Sequence, residues 1–236
     1  MAPSSPQLCT CPTLCAEPCT HPQVVCFDVD STVCVDEGID ELASFKRVGQ
    51  AVAALTASAM GGSVPFEVAL AQRLDLIRPS ADDVAQFLRG HPPRLSPGIA
   101  DLVATLHARD CHVYLVSGGF TQMIHPVADL LGVPRARVLA NTLLFDPGTG
   151  AYADFDRTAY TSRSGGKAAA IQAIRGWDAS RVPVVMIGDG ATDLEARRPG
   201  GADCFIGYGG VAQRAKVVAE ADWFVTSFEP LIEALR

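Results

Sequence analysis

Three short apolar runs in this chain each stop abruptly at small or acidic residues: Val24 to Phe27 before Asp28, His112 to Val116 before Ser117, and Val184 to Ile187 before Gly188 and Asp189. β-Rich runs without polar alternation suit strands buried on both faces, as in a parallel sheet. Cys204 to Ile206 and Trp223 to Thr226 extend the same pattern. Between them Ile99, Leu102, Val103 and Leu106 fall at helical spacing after Ser96 and Pro97, where serine can cap and proline can take the first turn. A second helix is expected from about Lys167 through Ile171 and Ile174. This alternation predicts an α/β fold, a doubly wound Rossmann-like parallel sheet that binds ligands at the carboxyl ends of its strands. The stretch from Asp40 to Pro93 breaks the alternation. It reads as Ala- and Leu-rich helices with a loop at Gly61-Gly62-Ser63 and a stop at His91-Pro92-Pro93, an inserted helical lobe. The expected division is a Cys/Pro-rich, disordered head over residues 1–20, a core over 21–38 and 95–236, and a small helical cap over 39–94.

The formal net charge of −7 and scattered Lys and Arg leave no basic stripe to neutralise nucleic-acid phosphates, so no nucleic-acid partner is expected. No apolar run reaches the roughly 20 residues of a membrane helix. No basic residue precedes Lys46, so neither a secretory nor an Arg-rich transit segment is expected, and the chain reads as cytoplasmic. Of the eight cysteines, Cys26, Cys34, Cys111 and Cys204 stand singly in or beside apolar segments, as free core thiols do. Cys9, Cys11, Cys15 and Cys19 crowd the head with His21 behind them, in a C-x-C-x3-C-x3-C spacing that lacks the paired knuckle of common zinc modules.

The polar residues at the strand ends carry the chemistry. Asp28-Val29-Asp30-Ser31-Thr32 holds two carboxylates one residue apart, which suits a division of labour: Asp28 as an ionised nucleophile, Asp30 as general acid and then base. A solvated acidic loop would carry the same letters. Ser117-Gly118-Gly119 offers a hydroxyl and backbone N–H groups to phosphate oxygens, although a plain turn is equally compatible. Ser164-Gly165-Gly166-Lys167 lacks the first glycine and the terminal Ser/Thr of a P-loop, so Lys167 reads as one positive charge near a phosphate. In Gly188-Asp189-Gly190-Ala191-Thr192-Asp193 the second aspartate stands where a dinucleotide fingerprint needs glycine. Read as a metal site, Asp28 and Asp189 offer hard oxygens to an octahedral Mg²⁺, with Asp193 one helical turn along orienting bound water.

In this order the four motifs resemble the phosphatases of the haloacid dehalogenase (HAD) superfamily. The surrounding text, including Glu37-Gly38-Ile39-Asp40-Glu41-Leu42-Ala43, Ala59-Met60-Gly61-Gly62 and Val64-Pro65-Phe66, is similar to the phosphoserine phosphatase family from about Val24 onward. The resemblance implies hydrolysis of phosphoserine, the last step of serine biosynthesis, through an aspartyl-phosphate on Asp28. It implies Asp30 as acid/base whose backbone carbonyl also meets a Mg²⁺ held by Asp28 and Asp189, with Asp193 supporting the metal shell. Lys167 would hold Asp28 and the phosphoryl group. Ser117, Gly118, Gly119 and Thr192 would stand at the phosphate, Glu37 at the substrate amine and Arg73 at its carboxylate, with Met60, Gly61 and Phe66 lining the closed pocket. It also allows a homodimer. The head and Arg197-Arg198-Pro199-Gly200-Gly201 depart from the family pattern without touching a motif residue. Two alternatives stay open: a relative with the same core acting on another small phosphomonoester or as a phosphotransferase, and a binding protein with an idle core whose Cys-rich head takes a soft metal or a partner. A dehalogenase is disfavoured because a leaving halide needs no acid, which leaves Asp30 without a task.

Overall fold

The computed structural model describes residues 24–59, 64–177 and 183–236. Among these, the strands are β1 (Val24–Phe27), β2 (His112–Phe120), β3 (Val138–Asn141), β4 (Leu143–Phe145), β5 (Tyr152–Phe155), β6 (Val184–Gly188), β7 (Cys204–Tyr208) and β8 (Trp223–Val225). Six of them form one sheet in the order β3-β2-β1-β6-β7-β8, every pairing parallel. Helices α1 (Gly38–Phe45), α2 (Gly49–Ala59), α3 (Phe66–Ile77) and α4 (Ala81–Gly90) stand between β1 and β2. The later helices are α5 (Ile99–Ala108), α6 (Thr121–Leu130), α7 (Gly166–Trp177), α8 (Ala191–Glu195), α9 (Ala215–Glu220) and α10 (Glu229–Ala234). None of the described helices is long and apolar enough to cross a membrane.

All four residues of β1 are buried. Alternate side chains serve opposite faces: Val25 and Phe27 enter one apolar cluster with α5 and α6, and Val24 and Cys26 enter the other with α7. A central strand covered on both faces must be apolar throughout, which is why the run shows no alternation. Phe27 lies level with both Leu115 and Ile187, so the next residue of β1 and those following β6 emerge side by side. The chain leaves β1 toward β2 and β3, then returns to β6 on the other side of β1. Ligands collect at such a reversal, outside the carboxyl ends of the strands.

Helices α1, α3 and α4 bury Leu42, Leu70, Leu74 and Phe87 in a third cluster, which continues into the core through Phe120, Met123, Leu143 and Phe155. The two crossings to this insertion run side by side, with Cys34 bridged to Leu95 and the Val35 N–H donating to the Arg94 carbonyl at 3.0 Å. Ser80 caps α4 in a reciprocal box with Asp83.

Three details differ from the sequence reading. Ser96 does not cap α5: Gly98, at φ 82°, is the residue before the first turn, and the Ile99 N–H meets the Ser96 carbonyl instead. Cys26, Cys34 and Cys111 are buried free thiols, whereas Cys204 is disulfide-bonded. The short edge strand β3 and the hairpin β4–β5 follow from sequence that signals neither. The cysteines and His21 of the head lie outside the described residues.

Candidate active site

Asp28 follows β1 directly, its N–H donating to the Ile187 carbonyl at 2.9 Å. Its Oδ1 accepts from the Val29 N–H at 2.7 Å, and the loop closes when the Cys34 N–H reaches the Val29 carbonyl at 2.8 Å. Inside that loop Ser31 sits at φ 54°, a conformation costly for a residue with a Cβ. Ser31 Oγ donates to Glu37 Oε1 at 2.8 Å, which ties the start of the insertion to the turn. Asp30 Oδ1 accepts the first N–H of α1, from Gly38, at 2.8 Å. Burial, then the charge of Asp28, then that of Glu37 push the Asp30 carboxyl up to about 7.

Lys167, in the first turn of α7, reaches two carboxylates at once: Asp28 Oδ1 at 2.8 Å and Asp193 Oδ1 at 2.5 Å. All three side chains are almost fully buried. Burial alone would discharge the lysine; Asp193 and then Asp28 outweigh it and hold its pKa above the ordinary value. Asp193 reaches this place because Gly188 lacks a Cβ, which would stand 2.3 Å from the Asp193 carboxyl carbon. The other Asp193 oxygen accepts from the Gly190 N–H at 2.9 Å.

Asp28, Asp189 and Asp193 each place a carboxylate oxygen within 4.8 Å of the others. Burial and then Asp28 raise the Asp189 carboxyl, against Arg214. Three buried carboxylates facing one lysine, all with hard oxygen donors, fit a small divalent cation of the Mg²⁺ class.

The Ser117-Gly118-Gly119 turn interrupts the ladder: pairing of β2 with β3 shifts between Val116 and Phe120, which frees Ser117 to Gly119 from regular pairing. Ser117 Oγ accepts from the Gly119 N–H at 2.9 Å and is fully buried, so it braces the turn. Asn141 holds the Gly118 carbonyl at 2.8 Å and is itself held by Thr161 at 3.1 Å.

These groups surround a cleft of about 180 Å³. Asp28, Asp30, Lys167, Asp189, Gly118, Gly119 and Thr192 line it from the core; Glu37, Phe66 and Arg73 line it from the insertion. The Phe66 ring covers Gly118, where a Cβ would lie 3.1 Å from the ring edge. Arg73 is half-buried and forms no ion pair among the described residues; its charged form is disfavoured by burial and favoured by Asp40, Glu37 and Asp30. Met60 and Gly61 lie outside the described residues.

Sequence reasoning missed Arg214, Arg163 and a contact between insertion and core. Arg214 donates from Nε to Asp189 Oδ2 at 2.9 Å and stands 3.8 Å from Glu37 Oε1. Arg163 lines the cleft mouth. Glu67 Oε2, in the first turn of α3, accepts from the Ser164 N–H at 3.1 Å and its hydroxyl at 3.2 Å, and the Phe66 N–H donates back to Ser164 Oγ at 3.3 Å. None had a signal in one dimension, because isolated Arg, Ser and Glu in polar loops carry no spacing.

A haloacid dehalogenase-like hydrolase family model matches residues 22–201. Over 213 residues the chain is 60% identical to a protein of Arabidopsis thaliana named "Phosphoserine phosphatase, chloroplastic", covering 90% of this chain and 72% of that one. It is 49% identical to the phosphoserine phosphatase of Bos taurus, covering 90% and 92% of the two chains. Among solved structures, the DsGPDH of Dunaliella salina superposes with a TM-score of 0.79 at 37% identity, over 91% of this chain but 36% of that longer one. With the Asp28 turn, the buried lysine and the acidic strand ends arranged as described, the chain belongs to the haloacid dehalogenase-like hydrolases and, within them, to the phosphoserine phosphatase family.

Proposed function

We propose that the protein hydrolyses O-phosphoserine to serine and phosphate through an aspartyl-phosphate on Asp28. The observation that carries this reading is the cleft itself, which Asp28, Asp30, Lys167, Glu37 and Arg73 line together. An anion and a bidentate cation on a small chamber match the amine and carboxylate of an amino acid. In the first step an Asp28 oxygen attacks phosphorus, the bond to the seryl oxygen breaks, and Asp30 protonates that oxygen. In the second step Asp30 takes a proton from water as it attacks the aspartyl-phosphate, which releases phosphate and restores Asp28. Lys167 pairs with Asp28 and orients its carboxylate. Gly118, Gly119 and Thr192 stand at the phosphoryl group, and Ser117 shapes that turn. Mg²⁺ held by Asp28 and Asp189, with Asp193 and the Asp30 carbonyl in support, would neutralise charge on the transferring phosphoryl oxygens.

The four-helix insertion acts as a cap on the hinge at Cys34 and Leu95, and closing it excludes water and larger esters. A cytoplasmic location is part of this reading, while the Arabidopsis relative carries a chloroplast name. A homodimer is checked by light scattering.

Phosphate release from phosphoserine, with Mg²⁺ present or chelated, tests the reading against Asp28→Asn. Magnesium-dependent release that vanishes in the variant supports it. A parent inert to phosphoserine but active on an aryl phosphate would keep the core chemistry and remove the roles of Glu37 and Arg73. The second reading, another small phosphomonoester, is favoured by the 37% identity to a structure that carries a different name.

A further inference from the structure

A second cavity, of about 330 Å³, lies behind the catalytic cleft, and Asp30 and Gly119 belong to the walls of both. We propose that it binds a small aromatic amine and that occupancy restrains the cap and slows turnover.

Its position is what gives an occupant leverage. Cys34, Asp36 and Gly38 of the outgoing crossing line it, as do Gly90, Pro92 and Arg94 of the returning one. Phe87 and Leu88 face it from the cap, Met123 and Val127 from α6 of the core. Cap and core cannot change their relative angle without changing the shape of this space, since every part that must move contributes a wall. Hinges of this kind are a few residues that absorb the whole motion.

Its lining selects the chemistry. Phe87 and His91, both in the wall, stack with ring centroids 4.6 Å apart, and Phe45, outside the lining, backs the two rings edge-on at 5.8 and 5.9 Å. Phe120 and the soft thioether of Met123 complete an apolar wall suited to an aryl group. The charges are unequal. Arg94 is spent on Asp36, with Nε 2.7 Å from Oδ2 and a second contact through Nη2. Glu41, also in the wall, has no ion-pair partner among the described residues. Arg94 also feels the Glu41 charge, yet it is one guanidinium beside the two carboxylates of Asp36 and Glu41, and an aromatic lining with carboxylate in excess complements a ring bearing a single cation. The volume lies at the lower end of small-molecule sites, which calls for a fused-ring molecule with a short amine arm.

The test uses the full chain with tryptamine as probe and indole-3-acetate as the control of opposite charge. Calorimetric titration is run with and without saturating inorganic phosphate, and turnover is followed with p-nitrophenyl phosphate, so that failure of the phosphoserine reading does not bear on the outcome. Expected are saturable tryptamine binding that phosphate does not displace, a fall in kcat with KM little changed, and no binding of indole-3-acetate. Glu41→Gln keeps its basal turnover and binds tryptamine about tenfold more weakly. Displacement by phosphate, competitive inhibition, equal binding of the two probes, unchanged affinity in Glu41→Gln or no saturable binding each overturns the proposal.

Discussion

Lys167 Nζ stands 2.5 Å from Asp193 Oδ1 in a pair that solvent scarcely reaches. Removing one partner of such a pair leaves an uncompensated buried charge and costs about 3–5 kcal/mol. Lys167→Met is therefore expected to lower stability by several kcal/mol in chemical denaturation and to abolish phosphate release. Asp193→Asn should lose activity with a smaller stability cost, because the Lys167 charge keeps Asp28. A Lys167→Met variant with near-parental turnover would contradict this account of the site.

Asp30 is expected to matter in proportion to how much the leaving group needs a proton. Asp30→Asn should lower kcat on phosphoserine by about 10²–10⁴-fold, the usual worth of general acid–base catalysis. Nitrophenolate leaves without protonation, so p-nitrophenyl phosphate should still phosphorylate Asp28 and then stall for want of a base. The readout is a rapid burst of one nitrophenolate per chain followed by slow steady turnover. Equal losses on both substrates with no burst would remove the acid role.

Arg214 neutralises Asp189 in the structure. A cation arriving at Asp189 competes with that guanidinium, so Arg214→Ala should bind Mg²⁺ more tightly, by about tenfold if the pair is worth the 1.4 kcal/mol that such a factor represents. Magnesium titration of activity and calorimetry of the resting protein give independent values. Unchanged affinity would mean that Arg214 moves aside without cost.

The contact of Glu67 with Ser164 is the polar link between cap and core at the cleft mouth. Glu67→Ala and Ser164→Ala should raise KM several-fold, with smaller effects on kcat, because the Phe66 ring would cover Gly118 less often. Thermal stability should hardly change, since exposed polar contacts contribute about 0–1 kcal/mol.

Asp83 binds Lys46 at 2.5 Å and caps α4. Burial alone would raise its carboxyl, but Lys46 and the Ser80 donors outweigh it and hold it below the ordinary carboxylate range. A depressed folded-state pKa adds stability that is present above the unfolded pKa of about 3.9 and lost as pH falls through the folded value. The parent should lose this contribution below about pH 4. Asp83→Asn should show a weaker acid dependence and a lower melting temperature at neutral pH. Parallel acid profiles for the two would exclude the contribution.

Much of this protein was legible in one dimension, for reasons that particular residues make plain. Central strands such as Val24–Phe27 and Val184–Gly188 are buried on both faces, so their apolar runs are unbroken. Edge strand β3 and the hairpin β4–β5 have mixed burial and escaped notice. Asp28, Asp30, Lys167 and Asp189, which line one cleft, stood out as candidates because each sits at a fixed offset from a strand or helix end, where backbone geometry constrains neighbouring letters.

The local order of strand, acidic turn and helix was thus determined by sequence alone, since hydrophobic periodicity and turn chemistry act over a few residues. Tertiary structure decided which distant groups share a charge. Lys167 meets both Asp28 and Asp193, Arg214 takes Asp189, Glu67 finds Ser164, and the two crossings border a second cavity beside Glu41. Electrostatic pairing and cavity shape depend on distances through space, and no spacing along the chain encodes those distances until the sheet has set its strand order.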